Sequence, residues 1–514
     1  MKKFLELMAG YVERYLGYDR FISWLLVVPI VPDTILIAEK IRYFDRRGMS
    51  QHAYAYISRL LKKRSFKVAS KLPVILNAFR PEMYADSCLL ADVLGQKKML
   101  DEYRPKTAKE VYSKIAAQIR CFNHSGAMRS FSEYQHWLSN EDKQAFTSYA
   151  KQRDLYVGWF QDVVDEAWVN TFVDFKGALR EGGVAFYIPP VLKKLSICPV
   201  CTSSFYVQVV ELYKNLYSSF PGGERLKIVP FLQFDWRNAG VISGFSQAIS
   251  YHTKVNNGVY LNVKESALSG YFTIDAGGYS GWHSASNISL DEIRDIVALE
   301  GSDSIEGTFR GLFSEFVEKS ESKYFQFSAN VTDFSALGEF YFLPMQVTND
   351  VVAGLAEIDT YQLLCEMVNL ARKHDLTIVV KKHPKCRSAL VRDLLEKVST
   401  CPNVILSSDS VHKIIPYAKA VITVNSGVGM EALLHLKTVI TTGGCDYRAA
   451  TYAVNDVSGL EKRLLNFKAI DPDDIKRFLH YFLRYHLYRY DDVNKIKLFW
   501  GRALGLDFHE NNDN

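Results

Sequence analysis

The sequence predicts an α/β protein with a parallel, doubly wound sheet, and the clearest pattern lies between residues 340 and 445. Short apolar runs typical of buried strands alternate there with amphipathic segments of helical length, and the connections are short. Strands and helices that alternate in this way form a parallel sheet covered by helices on both faces. The predicted strands are Tyr341–Val347, Thr377–Lys382, Asn403–Leu406, Ala420–Val424 and Thr438–Thr442, and the predicted helices are Thr360–His374, Ser388–Ser399, Val411–Ala418 and Gly429–His435.

The first 330 residues mix the same two patterns less regularly. Helical patterns occupy residues 1–65, 106–120, 141–181 and 203–219, and strand-like runs include Leu72–Leu76, Leu226–Phe231 and Val259–Val263. A second α/β domain with extra helices accounts for this mixture.

The chain becomes helical and basic after residue 470. Phe478, Phe482, Tyr485 and Tyr488 recur at helical spacing between lysines and arginines. This pattern is typical of a terminal helix that packs its aromatic stripe onto the protein. It is also typical of a basic amphipathic helix that contacts a membrane surface or an anionic acceptor.

Length and composition limit the classes of protein to consider. A chain of 514 residues predicts two or more domains, and 48% hydrophobic with 23% charged residues is ordinary globular composition. A net charge of +5 does not indicate a partner nucleic acid. Of eight cysteines, only Cys198 and Cys201 have the spacing of a metal or redox pair, and no second pair completes a zinc site.

Scattered thiols predict a reducing compartment. The apolar stretch Phe21–Pro32 is too short to cross a bilayer, and no signal peptide is apparent. We therefore expect a cytoplasmic protein, or one that lies peripherally at the inner face of the cytoplasmic membrane.

Cations and an imidazole follow the predicted strand at Thr377–Lys382. Pro384 holds His383 away from helical geometry at the strand end, and side-chain alternation places Lys381 on the same side as His383. Such groups can bind a phosphate. The same His-Pro pair could instead merely end the strand.

A glycine-containing turn follows the predicted strand at Ala420–Val424. Ser426 can hydrogen-bond a phosphate, Glu431 can accept bonds from ribose hydroxyls, and the glycines allow a ligand close to the backbone. An ordinary strand-to-helix turn would look similar, with Glu431 complementing the helix dipole. The predicted binding residues of this turn are Asn425, Ser426, Gly427, Gly429 and Glu431.

Two further strand ends meet the same predicted sheet edge, where ligands bind in such folds. Gly443 belongs to a flexible loop that could contact a ligand or simply end its strand. Gln346 could contact a base or a sugar, or be a plain polar strand end.

A glycine- and serine-rich loop follows Asp275 in the N-terminal half. A carboxylate at this kind of site can act as the nucleophile in glycosyl transfer with retention, but Asp275 could equally bond its own backbone in a tight turn. Glu265 is a weaker catalytic candidate, since Lys264–Glu265 could be a surface ion pair. The predicted sugar and acceptor loop comprises Gly277, Gly278, Tyr279, Ser280 and Ser284.

We expect neither a metal nor a cofactor. The Asp-x-Asp pattern at Asp471-Pro472-Asp473 has proline in the middle and precedes a helical run, which is typical of a helix start. The pattern Asp235-Trp236-Arg237 is more typical of a surface ion pair.

From about Leu343 to Thr451 the chain resembles the capsular-polysaccharide-synthesis family of bacterial glycosyltransferases, which includes retaining β-Kdo transferases that use CMP-Kdo. The matching pieces are Pro344-Met345-Gln346 with Asp350, Lys382-His383-Pro384, Asn425 to Ala432, and Gly443 with Tyr447. In the family these loops hold CMP, so the resemblance implies donor-binding roles for His383, Ser426 and Glu431. The Asp275 loop also resembles the family's acceptor-side loop, whose aspartate is thought to be the nucleophile.

The resemblance implies a GT-B-like fold, with two Rossmann-type domains facing a cleft and the last helices crossing back. The expected domains are 1–335 on the acceptor side, 336–468 for the nucleotide sugar, and 469–514 as helices packing on the first domain. The implied activity is transfer of Kdo, or a related acidic sugar, from a CMP-activated donor to a capsule or lipopolysaccharide glycan. Two alternatives remain open: a GT-B transferase that uses another nucleotide sugar, and a non-catalytic polysaccharide assembly or export factor of the same fold.

Overall fold

The structure is a computed structural model. It describes residues 98–120, 123–154, 162–164, 166–167, 170, 183–189, 203–222, 226–233, 245–254, 258–323, 332–348, 350–386 and 388–505. Several predictions lie outside these residues: the helical pattern at 1–65, the strand Leu72–Leu76, the apolar stretch Phe21–Pro32, the pair Cys198 and Cys201, and the pattern Asp235-Trp236-Arg237.

The described residues fall into two compact units. The N-terminal unit comprises described residues up to 262 together with 489–505, and the C-terminal unit comprises described residues from 263 to 488. The boundaries between these units, at 262/263 and 488/489, differ from the domain boundaries expected from the sequence. Those expected domain boundaries stay predictions.

The N-terminal unit contains helices and a parallel sheet. Its elements are α1 (Ala108–Arg120), α2 (His124–Tyr134), α3 (Asn140–Asp154), β1 (Val184–Ile188), α4 (Ser203–Ser218), β2 (Ile228–Leu232) and β3 (Gln247–Tyr251). The strands have the order β3-β1-β2, and both pairs are parallel. The predicted helices at 106–120 and 203–219 and the strand at Leu226–Phe231 are confirmed to within two residues at each end.

The C-terminal unit contains the predicted alternation of strands and helices. Its strands are β4 (Tyr260–Glu265, which begins before the unit boundary), β5 (Tyr271–Asp275), β6 (Phe340–Pro344), β7 (Thr377–Lys381), β8 (Val404–Leu406), β9 (Ala420–Thr423), β10 (Val439–Thr441), β11 (Tyr452–Ala453) and β12 (Leu487–Arg489). Its helices are α5 (Leu290–Val297), α6 (Ser302–Leu312), α7 (Thr360–His374), α8 (Ala389–Val398), α9 (Val411–Ile414), α10 (Val428–Leu434), α11 (Val457–Leu465) and α12 (Pro472–Tyr485). Helix α13 (Val493–Leu504) belongs to the N-terminal unit.

The main sheet of the C-terminal unit is doubly wound, as the sequence predicts. Its order is β11-β10-β9-β6-β7-β8, and every neighbouring pair is parallel. The chain starts at β6, adds β7 and β8 on one side, and then returns to add β9, β10 and β11 on the other. The switch point between β6 and β9 is where such sheets bind ligands, beyond the carboxyl ends of the strands.

Alternate residues of the strands enter two separate cores, because successive side chains point to opposite faces. Tyr341, Leu343 and Ile422 pack into one core, and Phe340 and Phe342 pack into the other. Helices cover both faces, so the strands read as continuous apolar runs. The α/β expectation is therefore confirmed. A smaller group of strands in the same unit has the order β12-β5-β4.

Helix starts follow local capping rules. The side chain of Asp359 accepts hydrogen bonds from the N–H groups of Tyr361 and Gln362 at the start of α7. Asp471 caps α12 by accepting from Asp473 N at 2.9 Å, with Pro472 in the first turn. The interpretation of Asp471-Pro472-Asp473 as a helix start is confirmed.

Helix α12 packs its aromatic stripe into the C-terminal unit. Phe478 and Phe482 are buried in the core between the main sheet and helices α5 and α6. The basic residues beside them are engaged too, since Lys476 pairs with Glu306 at 2.9 Å. Packing therefore accounts for this stripe, and Tyr488 lies in β12 and not in the helix. Among the described residues, no helix combines the length and apolarity needed to span a bilayer.

Candidate functional site

Polar side chains tie together the loops at the switch point. Gln346 Nε2 donates to Asn425 Oδ1 at 3.0 Å, across the ends of β6 and β9. Asn425 Nδ2 donates to the carbonyl oxygens of Val352 at 2.7 Å and Gly444 at 3.1 Å. Both side chains are buried and engaged within the protein. They shape the floor of the site by fixing three loops to one another.

Close packing explains why residue 429, in the turn after β9, is a glycine. A Cβ on Gly429 would lie 2.4 Å from Tyr447 Oη, so the tyrosine ring occupies the space that a side chain needs. The Tyr447 hydroxyl donates to the carbonyl oxygen of Ser426 at 2.5 Å. Tyr447 thus fixes the backbone of the turn that presents Ser426.

The His383 imidazole is neutral. Burial lowers its pKa to about 4, and the nearby Lys385 charge acts in the same direction. Its Nδ1 accepts from Lys385 N at 3.1 Å, which leaves the ring proton on Nε2. His383 can therefore offer a neutral N–H donor to a phosphate. Pro384 lies exposed in the turn that follows.

The Lys381 ammonium holds a neighbouring loop. It donates to the carbonyl oxygens of Ser408 at 3.0 Å and Asp409 at 2.6 Å, beyond the end of β8. Burial lowers its pKa, against the attraction of Asp409 and Glu431.

Glu431 is a buried carboxyl group in α10. It is 6% exposed, and burial raises its pKa to about 7, although the charges of Lys323 and Lys381 oppose this shift. At neutral pH the group is thus poised between a hydrogen-bond donor and an acceptor, which suits contact with sugar hydroxyls.

The Asp275 carboxylate ends β5 and organises the loop that follows. Its Oδ1 accepts from the backbone N–H groups of Gly277 at 2.8 Å, Gly278 at 3.2 Å and Ser284 at 3.1 Å. Its Oδ2 accepts from the Ser284 hydroxyl at 2.5 Å. One interpretation of the sequence was a tight turn in which Asp275 bonds its own backbone, and these bonds form that turn.

The Asp275 loop packs directly on the loop after β10. A Cβ on Gly281 would lie 2.7 Å from the Gly444 Cα, so backbone meets backbone there. The Ser280 hydroxyl points to the Gly444 carbonyl oxygen at 3.5 Å, and Ser280 has a φ of 53°. The candidate catalytic loop and the candidate nucleotide loops therefore lie side by side in one compact unit.

Asp275, His283 and His486 form a group whose potential metal-ligand atoms lie within 4.8 Å of one another. His283 Nδ1 accepts from Ala285 N at 3.0 Å, and burial lowers the pKa of His283, so the neutral ring carries its proton on Nε2. Within the described part of the chain, this buried Nε2 has no hydrogen-bond partner and lies 3.8 Å from Asp275 Oδ2. A metal needs a lone pair where this tautomer has a proton, so the donor set does not fit a metal. The expectation of a metal-free site stays a prediction.

Lys264 and Glu265, at the end of β4, are not a surface pair. Both side chains are 15% exposed and form a close ion pair, and Lys323 Nζ lies 3.5 Å from the same Glu265 oxygen. Burial lowers the pKa of Lys264 to about 8, against the attraction of Glu265. Lys264 Nζ also lies 5.7 Å from the centre of the buried Tyr279 ring.

Sequence reasoning overlooked Lys323 and His283. Lys323 stands in an irregular segment with no strand or helix pattern, so no local signal marks it. His283 follows Asp275 within the same glycine-rich loop, and its relation to the carboxylate depends on how the loop turns back.

Residues 318–488, which are 171 of the 514 residues, match a family model described as capsule polysaccharide biosynthesis protein. This segment is therefore similar to the capsule polysaccharide biosynthesis family. It includes Lys323, His383, Ser426, Glu431 and the loops that surround them. Asp275 and Glu265 precede it.

The chain is also similar to a curated relative, Protein FixF of Sinorhizobium fredii. The two are 30% identical over 156 residues, which cover 29% of this chain and 38% of the relative. The chain thus matches less than two fifths of the length of that protein.

Two solved structures from Thermosulfurimonas dismutans are similar to this chain at low identity. They are described as KpsC beta Kdo 2,4 transferase, with 14% identity and a TM-score of 0.38, and KpsC beta Kdo 2,7 transferase, with 15% identity and a TM-score of 0.34. Each comparison covers 58% of this chain and 90% of the other.

Proposed function

We propose that this protein is a glycosyltransferase of capsule polysaccharide biosynthesis. It transfers Kdo, or a related acidic sugar, from a CMP-activated donor to a glycan or glycolipid acceptor. The similarity to the capsule polysaccharide biosynthesis family supports the process, and the loops at the β6–β9 switch point support a nucleotide-sugar donor.

One observation carries the proposal. The Asp275 loop packs through Gly281 on Gly444, beside the sheet edge where a nucleotide is expected. A donor that places its phosphate at that edge would bring its sugar near a carboxylate. This is the arrangement that covalent glycosyl transfer requires.

The donor-binding roles follow from the groups that each side chain offers. The His383 Nε2–H and the Ser426 hydroxyl donate to the CMP phosphate, and Glu431 contacts the ribose hydroxyls. Gln346 and Asn425 act indirectly, by holding the loops at the switch point.

The proposed reaction proceeds in two displacements. Asp275 Oδ2 attacks the anomeric carbon, the bond from that carbon to the CMP phosphate oxygen breaks, and CMP leaves with the electron pair. An acceptor hydroxyl then attacks the same carbon, gives its proton to water, and releases the Asp275 carboxylate. Two inversions give net retention. Oδ2 is the reacting oxygen because three backbone N–H groups hold Oδ1.

A non-catalytic assembly or export factor of the same fold is the second candidate. The observation that favours it is the set of four hydrogen bonds on Asp275, which a purely structural turn would also need. A covalent sugar on Asp275 separates the two functions.

The experiment is intact-protein mass spectrometry after incubation with CMP-Kdo and no acceptor. We expect a sugar-sized mass increase in the parent protein and none in Asp275→Asn, which retains an oxygen for the three backbone donors. Asp359→Asn is the matched control, since Asp359 also accepts backbone N–H groups but lies at the start of α7. An adduct of the same yield in Asp275→Asn would remove this residue from the mechanism, and absence of an adduct in the parent would favour the non-catalytic factor.

A further inference from the structure

Two lysines share one carboxylate beside the Asp275 loop. Lys264 and Lys323 both approach Glu265 Oε1, and Lys323 Nζ also lies 3.4 Å from the Glu265 carbonyl oxygen. The three side chains are between 15% and 23% exposed. The cluster is therefore largely withdrawn from water, and each side chain keeps some exposed surface.

At ion-pair distance, two ammonium groups share the single carboxylate of Glu265. Excess positive charge is costly away from water. Asp350 and Asp446 attract Lys264 from a greater distance, and Lys323 repels it. Burial raises the pKa of Asp446.

The lysine cluster interacts with the Asp275 loop and with the candidate nucleotide loops. Lys264 lies above the ring of Tyr279, in the loop that Asp275 organises. The Lys323 charge acts on His383 and Glu431, in the loops assigned to the nucleotide. An anion bound here would thus lie near the loop that Asp275 organises.

We propose that Lys264 and Lys323 form an oxyanion-binding position, with Glu265 holding the two ammonium groups in place. The anion is a carboxylate or a phosphate of the donor, that is, the carboxylate of an acidic sugar or the phosphate of CMP. This inference rests on the proposed function for the identity of the donor. It also gives Glu265 a role different from the catalytic one expected from the sequence, because its Oε1 is already shared by the two lysines.

The test compares Lys264→Gln and Lys323→Gln with the parent in calorimetric titrations of CMP, free Kdo and inorganic phosphate. Lys419→Gln is the matched control, because Lys419 is 28% exposed and pairs with Glu339 at 2.9 Å, at the opposite, amino end of the main sheet. Loss of a hydrogen bond to a charged group predicts a roughly tenfold or greater weakening in the two cluster variants and no change in the control. Lys264 is more buried than Lys323, so Lys264→Gln could fold poorly. In that case the result for Lys323→Gln alone decides the test.

The three probes distinguish the source of the anion. Weakened Kdo binding with unchanged CMP binding assigns the sugar carboxylate, and weakened CMP binding assigns the phosphate. Weakened phosphate binding supports the oxyanion position even if the parent fails to transfer Kdo, so the two proposals can fail separately. Unchanged affinity for all three probes, or no binding of any of them by the parent, would overturn the inference.

Discussion

The two oxygens of Asp275 have different surroundings. We assign Oδ1 to holding the loop and Oδ2 to the proposed reaction. Oδ1 is bound by three backbone N–H groups, whereas Oδ2 receives the Ser284 hydroxyl and faces His283. The sequence left a turn and a nucleophile as alternatives for this residue. The structure shows that the turn exists.

Replacing Asp275 therefore has two effects, which two variants separate. Asp275→Ala leaves four donors without their acceptor, and we expect a loss of roughly 3 kcal/mol or more in the free energy of unfolding. Asp275→Asn retains Oδ1 and should lose about 1 kcal/mol. Urea unfolding measures both values. Equal stability of the two variants would mean that the Oδ1 bonds do not hold the loop.

Glu431 predicts a pH dependence of stability. Its pKa is raised from the ordinary 4.5 to about 7 by burial, so the folded state favours the protonated form. Its contribution is present in full below pH 4.5 and is lost as the pH rises through 7. The free energy of unfolding of the parent should therefore fall by up to about 3 kcal/mol as the pH rises, and Glu431→Gln should abolish this fall.

Urea unfolding between pH 4.5 and 8 tests the Glu431 prediction. The exposed Glu396 of α8 provides the control Glu396→Gln, which should retain the slope of the parent. A parent-like slope in Glu431→Gln would show that another group causes the decline.

At the scale of elements, the sequence predicted the main sheet well because its strands are buried on both faces and separated by capped helices. Helix α7 has the predicted bounds Thr360–His374. The prediction failed at the end of α12, where Tyr488 was expected to continue the helical stripe. Tyr488 instead lies in β12, next to β5 in the sheet order, and this pairing between distant segments leaves no periodic signal.

The contact between the Asp275 loop and the loop after β10 predicts a strong effect of a small substitution. A Cβ on Gly281 would meet the backbone of Gly444, which cannot move aside like a flexible side chain. We expect Gly281→Ala to lower the free energy of unfolding by about 1–3 kcal/mol and to reduce transfer.

Gly307, in α6, supplies the control for that substitution. A Cβ there would meet nothing within 4 Å, so Gly307→Ala should leave activity unchanged and raise stability by about 0.5–1 kcal/mol. Thermal and urea unfolding of both variants, with transfer assays, make the comparison. Full stability and activity in Gly281→Ala would contradict the close loop contact.

At the scale of the whole molecule, the order of motifs along the chain indicated a nucleotide-sugar protein but not how the motifs come together. The Asp275 loop lies in the same compact unit as the loops around His383 and Ser426. Lys323 completes the cluster at Glu265 from a segment without any pattern. Such relations arise from tertiary packing, so a local motif could not have revealed them.

The loops at the β6–β9 switch point are proposed to hold CMP. Isothermal titration calorimetry with CMP, UDP and GDP, on the parent and on His383→Ala and Ser426→Ala, tests this binding. We expect CMP to bind more tightly than either diphosphate, and each substitution to cost roughly 1.5–3 kcal/mol of CMP affinity while the protein stays folded. UDP or GDP binding as tightly as CMP, or parent-like CMP affinity in both variants, would contradict it.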